Sequence, residues 1–91
     1  MSIVFEIPHA LDRFTEGQSE ISLEASSVQE AFDATWEKFP ELQSRVLNKQ
    51  GELFPYLTLL HNGNALGRSG FAAIQLQQGD KLAIFAIAAG G

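Results

Sequence analysis

The chain has 91 residues, 45% of them apolar and 19% charged, which makes one domain that buries ~60–70% of its unfolded surface and lacks room for both a core and a large catalytic cleft. With no cysteine it has no disulfide framework, thiolate zinc site, Cys-held iron–sulfur cluster or Cys nucleophile. Eleven acidic residues against six basic ones give a formal charge of -5, and the cations (Arg13, Lys38, Arg45, Lys49, Arg68, Lys81) are scattered; this argues against nucleic acid, which needs a clustered basic stripe, and favours partners with a basic docking surface.

Ile3, Phe5 and Ile7 alternate with Val4 and Glu6 until Pro8 stops the run. That predicts a first strand with its three large side chains inward. The polar stretch from Arg13 to Ser19, with Gly17, reads as a turn region. Ile21, Leu23 and Ala25 alternate with Ser22 and Glu24, giving a second strand with one wet face. The two strands are expected to pair as a hairpin over a long connection.

Ser27-Val28-Gln29-Glu30 fits the capping box, with Ser at the N-cap and Glu three residues on. Behind it Val28, Ala31, Phe32, Thr35, Trp36 and Phe39 fall on one helical stripe, and Glu30, Asp33, Glu37 and Lys38 lie off it. Pro40 disfavours helical geometry at Phe39 and marks the end. Leu42, Val46 and Leu47 are spaced for a short helical turn, followed by a loop from Asn48 to Gly51. Tyr56 to Leu60 reads as a strand with Leu57 and Leu59 on one face, and Asn62-Gly63 as a turn. Arg68-Ser69-Gly70 is a loop, Gly79-Asp80 a turn, and Lys81 to Ile87 the last strand. The fold class is therefore α+β: a four- to five-stranded sheet with one main helix on one face and the other face left for solvent or a partner.

The strand parity leaves a residue of apolar surface. With Leu82, Ile84 and Ala86 inward, Phe85 and Ile87 point to the uncovered face, and Leu60 opposes Leu57 and Leu59. Three large side chains there form a candidate docking patch. Covering loops, a homodimer contact or a one-residue slip in parity would account for the same pattern.

Other candidates carry less. His9 and His61 have no ligand spacing around them, so no metal site is expected. Ser26, Ser27 and Ser69 lack a nucleophile motif, and Ser27 is explained as a cap. Gly63, Gly67 and Gly70 precede no helix with Lys-Ser/Thr and make no P-loop. Asp80 reads as a turn former, the helix aromatics as core, and Glu30, Glu37 and Glu41 as a solvated face. The start Met-Ser-Ile-Val-Phe-Glu lacks a signal-peptide profile. The apolar run from Leu82 to Ala89 is far short of the ~20 residues that span a bilayer. A soluble, cytoplasmic chain without membrane contact is expected.

The sequence ends Ala88-Ala89-Gly90-Gly91. Composition alone describes a frayed terminus. Yet a Gly-Gly thread without Cβ atoms can enter a tunnel closed to other residues, and its α-carboxylate is a group that can be activated. The Asn62-Gly63 turn, Gly79-Asp80 before a last apolar strand, and terminal Gly90-Gly91, in that order on a single-helix α+β chain, resemble the ubiquitin-like β-grasp sulfur carriers of the MoaD/ThiS family. The resemblance spans the chain. The segment Arg13-Phe14-Thr15-Glu16-Gly17-Gln18, the stretch from Asn48 to Phe54 and the ending Ala89-Gly90-Gly91 are most similar to the longer, cysteine-synthesis members, alongside the molybdopterin synthase small subunit. Members often have a Pro a few residues before the terminal glycines, where this chain has Ala86.

The resemblance implies a single β-grasp domain over 1–91 with a flexible tail from about 87–91. It implies a mixed sheet. Gly91, preceded by Gly90, would be the working end: a ubiquitin-activating-like adenylyltransferase adenylates its carboxylate with ATP, and a sulfur donor converts it to a thiocarboxylate. A cysteine synthase-like enzyme, a molybdopterin synthase large subunit or a thiazole synthase would accept the sulfur. Leu60, Phe85, Ile87, Ala88 and Ala89 are the candidate partner contacts. The chain itself would bind no cofactor and be a co-substrate, not an enzyme. A ubiquitin-like protein modifier and a plain β-grasp interaction module are the alternatives.

Overall fold

A computed structural model of the chain describes residues 1–86. The expected tail, 87–91, lies outside the described residues, and with it the candidate contacts Ile87, Ala88 and Ala89 and the working glycines Gly90 and Gly91.

Five strands form one mixed sheet: β1 (Ser2–Glu6), β2 (Glu20–Glu24), β3 (Leu57–His61), β4 (Asn64–Ala65) and β5 (Lys81–Ala86), in the order β2-β1-β5-β3-β4. β1 and β2 pair antiparallel, the hairpin the alternation predicts. β5 enters the middle parallel to β1 and antiparallel to β3. Two helices, α1 (Val28–Lys38) and α2 (Pro40–Val46), follow β2.

Alternation decides what each strand buries. Ile3 and Phe5 of β1, Ile21 and Leu23 of β2, Leu57 and Leu59 of β3, and Leu82 and Ile84 of β5 are all buried on one side of the sheet. Val28, Ala31, Phe32 and Trp36 of α1 and Leu42 and Val46 of α2 complete that core. Phe32 is its hub: its ring lies 5.8 Å from Phe5, stacks on Trp36 at 5.2 Å and meets Phe71 edge-on at 5.0 Å. Such aromatic pairs contribute about 0.5–1.5 kcal/mol each beyond the area they bury.

The α1 cap forms with one change from the sequence pattern. Ser27 Oγ accepts the Glu30 backbone N–H at 3.1 Å. The Glu30 carboxylate reaches back to the backbone N–H and hydroxyl of Ser26, at 2.9 and 2.8 Å, one residue before the cap. Those two Ser26 donors, the backbone one first, hold the Glu30 carboxyl below its ordinary pKa.

Three local readings change. Pro40 ends α1 but also begins α2: Phe39 is at once the last cap of one helix and the first of the next, and Pro sits at the first helical position, where its missing N–H costs nothing. The short helical turn around Leu42 and Val46 is thus a seven-residue helix. The connection between β1 and β2 is a 3-10 helix over His9–Thr15, closed by Glu16 in the left-handed region. It is fixed from inside by Thr15, whose buried hydroxyl shares its one O–H between the Gln18 carbonyl at 2.7 Å and the Asp12 carbonyl at 3.0 Å. Ala86 shares the inward parity of Ile84 and lies opposite Leu57, yet it is exposed on the last rung of the β3–β5 ladder.

Candidate functional site

The helices cover one face of the sheet. The opposite face is built from the residues that alternate with the core. Registers place Val4 beside Lys81, Glu6 beside Ala83, Leu60 beside Ala83, and Thr58 beside Phe85. β5 therefore carries Lys81, Ala83 and Phe85 in a row along this face, toward the residues that follow Ala86.

Phe85 is 49% exposed, one of three large apolar side chains among the described residues with that much surface. Leu60 is half-buried. Together with Ala83 they bound a depression of about 210 Å³ whose other walls are Glu6, Gly63 and Lys81. Ala83 is 5% exposed although it faces outward, because it is small and flanked by Glu6 and Leu60 on the neighbouring strands. The floor of the depression is thus a methyl group and its rim an aromatic ring, an isobutyl group and one ion pair.

That ion pair joins Lys81 Nζ to Glu6 Oε1 at 2.7 Å, and the carboxylate beside it raises the Lys81 pKa from its ordinary value. Beyond Glu6, the outward residues of β2 are Glu20, Ser22 and Glu24, all exposed. The face therefore has an apolar half on β5 and β3 and an acidic half on β2. Sequence reasoning found Leu60 and Phe85 but missed Ala83 and the Glu6–Lys81 pair; the parallel register of β1 and β5 that unites them is not visible in either strand alone.

At one end of β5 the two turns read separately in the sequence form one network. Asp80 accepts the Gln77 N–H at 2.9 Å and the Asn62 side-chain N–H at 3.0 Å, and its other contact is His61 Nε2 at 2.8 Å. Asn62 in turn accepts the Lys81 N–H at 2.8 Å. Asn62 and Gly63 have φ of 50° and 87°, the left-handed geometry that the tight β3–β4 turn requires and that Asn-Gly tolerates. The hydrogen bond from His61, then those from Asn62 and Gln77, lower the Asp80 pKa to about 2. His61 is a tie between turns, and His9 pairs at the surface with Asp12 at 3.0 Å. No three His, Cys, Asp or Glu side chains gather as metal ligands among the described residues. None of the described helices is long and apolar enough to cross a membrane.

A larger groove of about 670 Å³ lies on the helix side, between α2 and the loop that follows it. Gln43, Leu47, Lys49 and Phe54 bound it, and Lys49 is the one ionisable side chain on its wall. It lacks the paired groups that acid–base or nucleophilic chemistry needs.

No protein-family model matches the chain. Small archaeal modifier protein 1 of Haloferax volcanii is 36% identical over 66 residues, covering 72% of this chain and 71% of that protein. The crystal structure of SAMP1 from Haloferax volcanii superposes with a TM-score of 0.82 at 28% identity, covering both chains completely. A chain in the Amycolatopsis orientalis BexX/CysO complex superposes with a TM-score of 0.84 at 25% identity, over 98% of this chain and 99% of that one. The β-grasp sheet, the covered and open faces, and these relatives agree: the chain belongs to the ubiquitin-like small sulfur-carrier and modifier family, of the MoaD/ThiS type.

Proposed function

We propose that the chain is a sulfur carrier protein whose working group is the Gly91 carboxylate. Phe85 carries this reading: a large aromatic ring is left half-exposed on the open sheet face, on β5, the last described strand before Gly90-Gly91 in the sequence. A fold with no use for that ring in its core gains from it where a partner covers it.

The chemistry assigns the roles. A free carboxylate is a poor electrophile. A ubiquitin-activating-like adenylyltransferase binds the patch of Leu60, Phe85 and Ile87 and threads Ala88 to Gly91 into its site. A Gly91 carboxylate oxygen attacks the α-phosphorus of ATP and pyrophosphate leaves. A sulfur donor then delivers sulfide to the acyl carbon, AMP leaves, and the product is a C-terminal thiocarboxylate. An acceptor enzyme of biosynthesis, serving cysteine, molybdopterin or thiamine formation, takes the sulfur. The similar CysO, found in a complex with BexX, supports a partner that grips the carrier directly. The carrier contributes docking surface and a narrow reactive end, and uses no catalytic side chain or bound cofactor.

Intact-mass measurement of the protein isolated from its native cell tests this. The expected species ends at Gly91 and is heavier by the difference between sulfur and oxygen. Protein that carries only carboxylate under conditions where the pathway is active refutes it. A second reading, protein modification through an isopeptide from Gly91 to a lysine, is favoured by the modifier name of the 36%-identical relative. A ladder of heavier conjugates that disappears when Gly91 is deleted distinguishes it.

A further inference from the structure

The sheet has two edges, and they differ. β4 closes one with two residues. β2 forms the other with five, and β1 is its one neighbour in the sheet. The register decides which way the β2 backbone points. Ile7 N–H donates to the Ser19 carbonyl at 2.8 Å, and Ala25 N–H to the Met1 carbonyl at 2.8 Å. Both contacts continue the register that sets Ile3 opposite Leu23 and Phe5 opposite Ile21. Bonded and non-bonded pairs alternate along an antiparallel ladder, so Ile21 and Leu23 direct their backbone groups at β1. Glu20, Ser22 and Glu24 direct theirs the other way. β1 agrees: its intervening residues turn to the β5 side, where Val4 N–H donates to the Asp80 carbonyl at 3.0 Å and the Ser2 carbonyl accepts from Gly79 at 2.8 Å.

Glu20, Ser22 and Glu24 are all exposed, and among the described residues no loop or helix hydrogen-bonds to their backbone. Three N–H and three C=O groups thus line an edge of about 14 Å, at ~3.4 Å per residue. Such an edge is a template for another strand unless its side chains forbid pairing. Here the side chains select. Every charged residue of β1 and β2 is a carboxylate: Glu6, Glu20 and Glu24. The cations around them are engaged. Lys81 lies two strands in and pairs with Glu6, Arg13 lies over the Phe14 ring, and the Met1 ammonium acts on the Glu30 carboxylate. A second copy of the chain, paired antiparallel about Ser22, would set Glu20 opposite Glu24 twice, and like charges directly opposite destabilise a ladder.

From this register we infer that the free edge of β2 is a strand-addition site for an extended basic segment of a partner protein, with Lys or Arg at alternate positions. In an antiparallel pairing, the residues opposite Glu20, Ser22 and Glu24 bond the edge through both N–H and C=O. Their side chains fall on the same face as those of Glu20 and Glu24, so a cation at each outer position meets a carboxylate directly across the ladder. Backbone bonds supply affinity and the alternate side chains supply specificity. The added strand lies beyond β2, on the far side of β1 from β5. It leaves Leu60 and Phe85 to other partners, and the site does not depend on carrier chemistry at Gly91.

The test titrates the full-length protein, labelled for backbone NMR, with the end-blocked peptide Lys-Val-Lys-Val-Lys and follows amide hydrogen exchange. At saturation the Glu20, Ser22 and Glu24 amides should exchange at least tenfold more slowly, because each gains a hydrogen bond. The Ile21 and Leu23 amides, already bonded to β1, should change less. The same peptide N-methylated at its three lysine amides keeps the charge but loses the donors, and should give no protection. Glu-Val-Glu-Val-Glu should not bind. The variant E20Q/E24Q keeps the edge without its charge and should weaken binding at least twofold, as should added salt. The inference is overturned if the three amides gain no protection, if the N-methylated peptide binds as tightly as the parent peptide, if the glutamate peptide binds equally, or if E20Q/E24Q binds unchanged. Protection of the same amides on concentrating the protein alone would make a second copy the occupant and overturn it as well.

Discussion

Replacing Phe85 by Ala separates a docking role from a structural one, because the neighbouring position supplies the control. Phe85 is 49% exposed and Ile84 1%, and the two point to opposite faces of β5. Fully burying such a side chain contributes about 1.5–3 kcal/mol. Phe85 has about half of that still to gain against a partner, so Phe85→Ala should weaken docking by about 0.7–1.5 kcal/mol, or roughly 4–13-fold. The other half already packs on the sheet, beside Thr58. Its loss, with the lower strand preference of Ala, should cost the fold about 1 kcal/mol. Ile84→Ala opens a cavity between sheet and helices and should cost about 2–5 kcal/mol. Urea unfolding gives the two stabilities, and calorimetric titration against the adenylating partner gives affinity per folded molecule. If Phe85→Ala destabilises as much as Ile84→Ala and leaves that affinity unchanged, the ring belongs to the fold and the docking patch is refuted.

Asp80 should make stability depend on acid: its folded pKa of about 2 lies below the ordinary 3.8, so its contribution is full above about pH 4 and is lost as pH falls toward 2, by about 2 kcal/mol in all. Urea midpoints across that window should fall less steeply for Asp80→Asn than for the parent, and parallel curves would contradict the network. Ser27→Ala removes the oxygen that accepts the Glu30 N–H and should cost about 0.5–2 kcal/mol in thermal or urea unfolding; an unchanged midpoint would mean Ser26 and Glu30 hold the helix start unaided. On the proposed function, Gly90→Val puts a branched side chain where the adenylating partner would admit only glycine, and ATP–pyrophosphate exchange with that partner should be lost; exchange at the parental rate would refute the narrow-channel reading.

What the sequence made legible follows from the range of the forces involved. Two-residue alternation in Ile3, Phe5, Ile21, Leu23, Leu57, Leu59, Leu82 and Ile84 records burial directly, so the covered face could be read without knowing the strand order. The same alternation exposed Phe85 and Leu60, since whatever opposes a buried residue faces the other way. Pro40 was ambiguous for a physical reason: the constraint that ends one helix at Phe39 also suits the first position of another. The 3-10 helix at residues 9–15 has too short a period and too polar a surface to leave a stripe. Features built by pairing across the chain were the ones hidden. Asn62 and Asp80 were each legible as turn residues, but only the antiparallel β3–β5 ladder puts their side chains 3.0 Å apart.

The placement of the surfaces carries a mechanistic consequence. A single sheet with both helices on one side divides the surface into two territories, and the core between them is the common support. Leu60, Ala83 and Phe85 lie on the open face, and Phe14, Arg13 and Arg45 lie over the helical layer. The open face itself divides by the force it offers. Leu60, Ala83 and Phe85 offer apolar burial, which is insensitive to salt, whereas Glu20 and Glu24 on β2 offer exposed charge whose attraction for a basic surface fades as ions screen it. On the proposed function, raising salt should therefore slow the approach of a partner with a basic docking surface more than it speeds release of the docked complex.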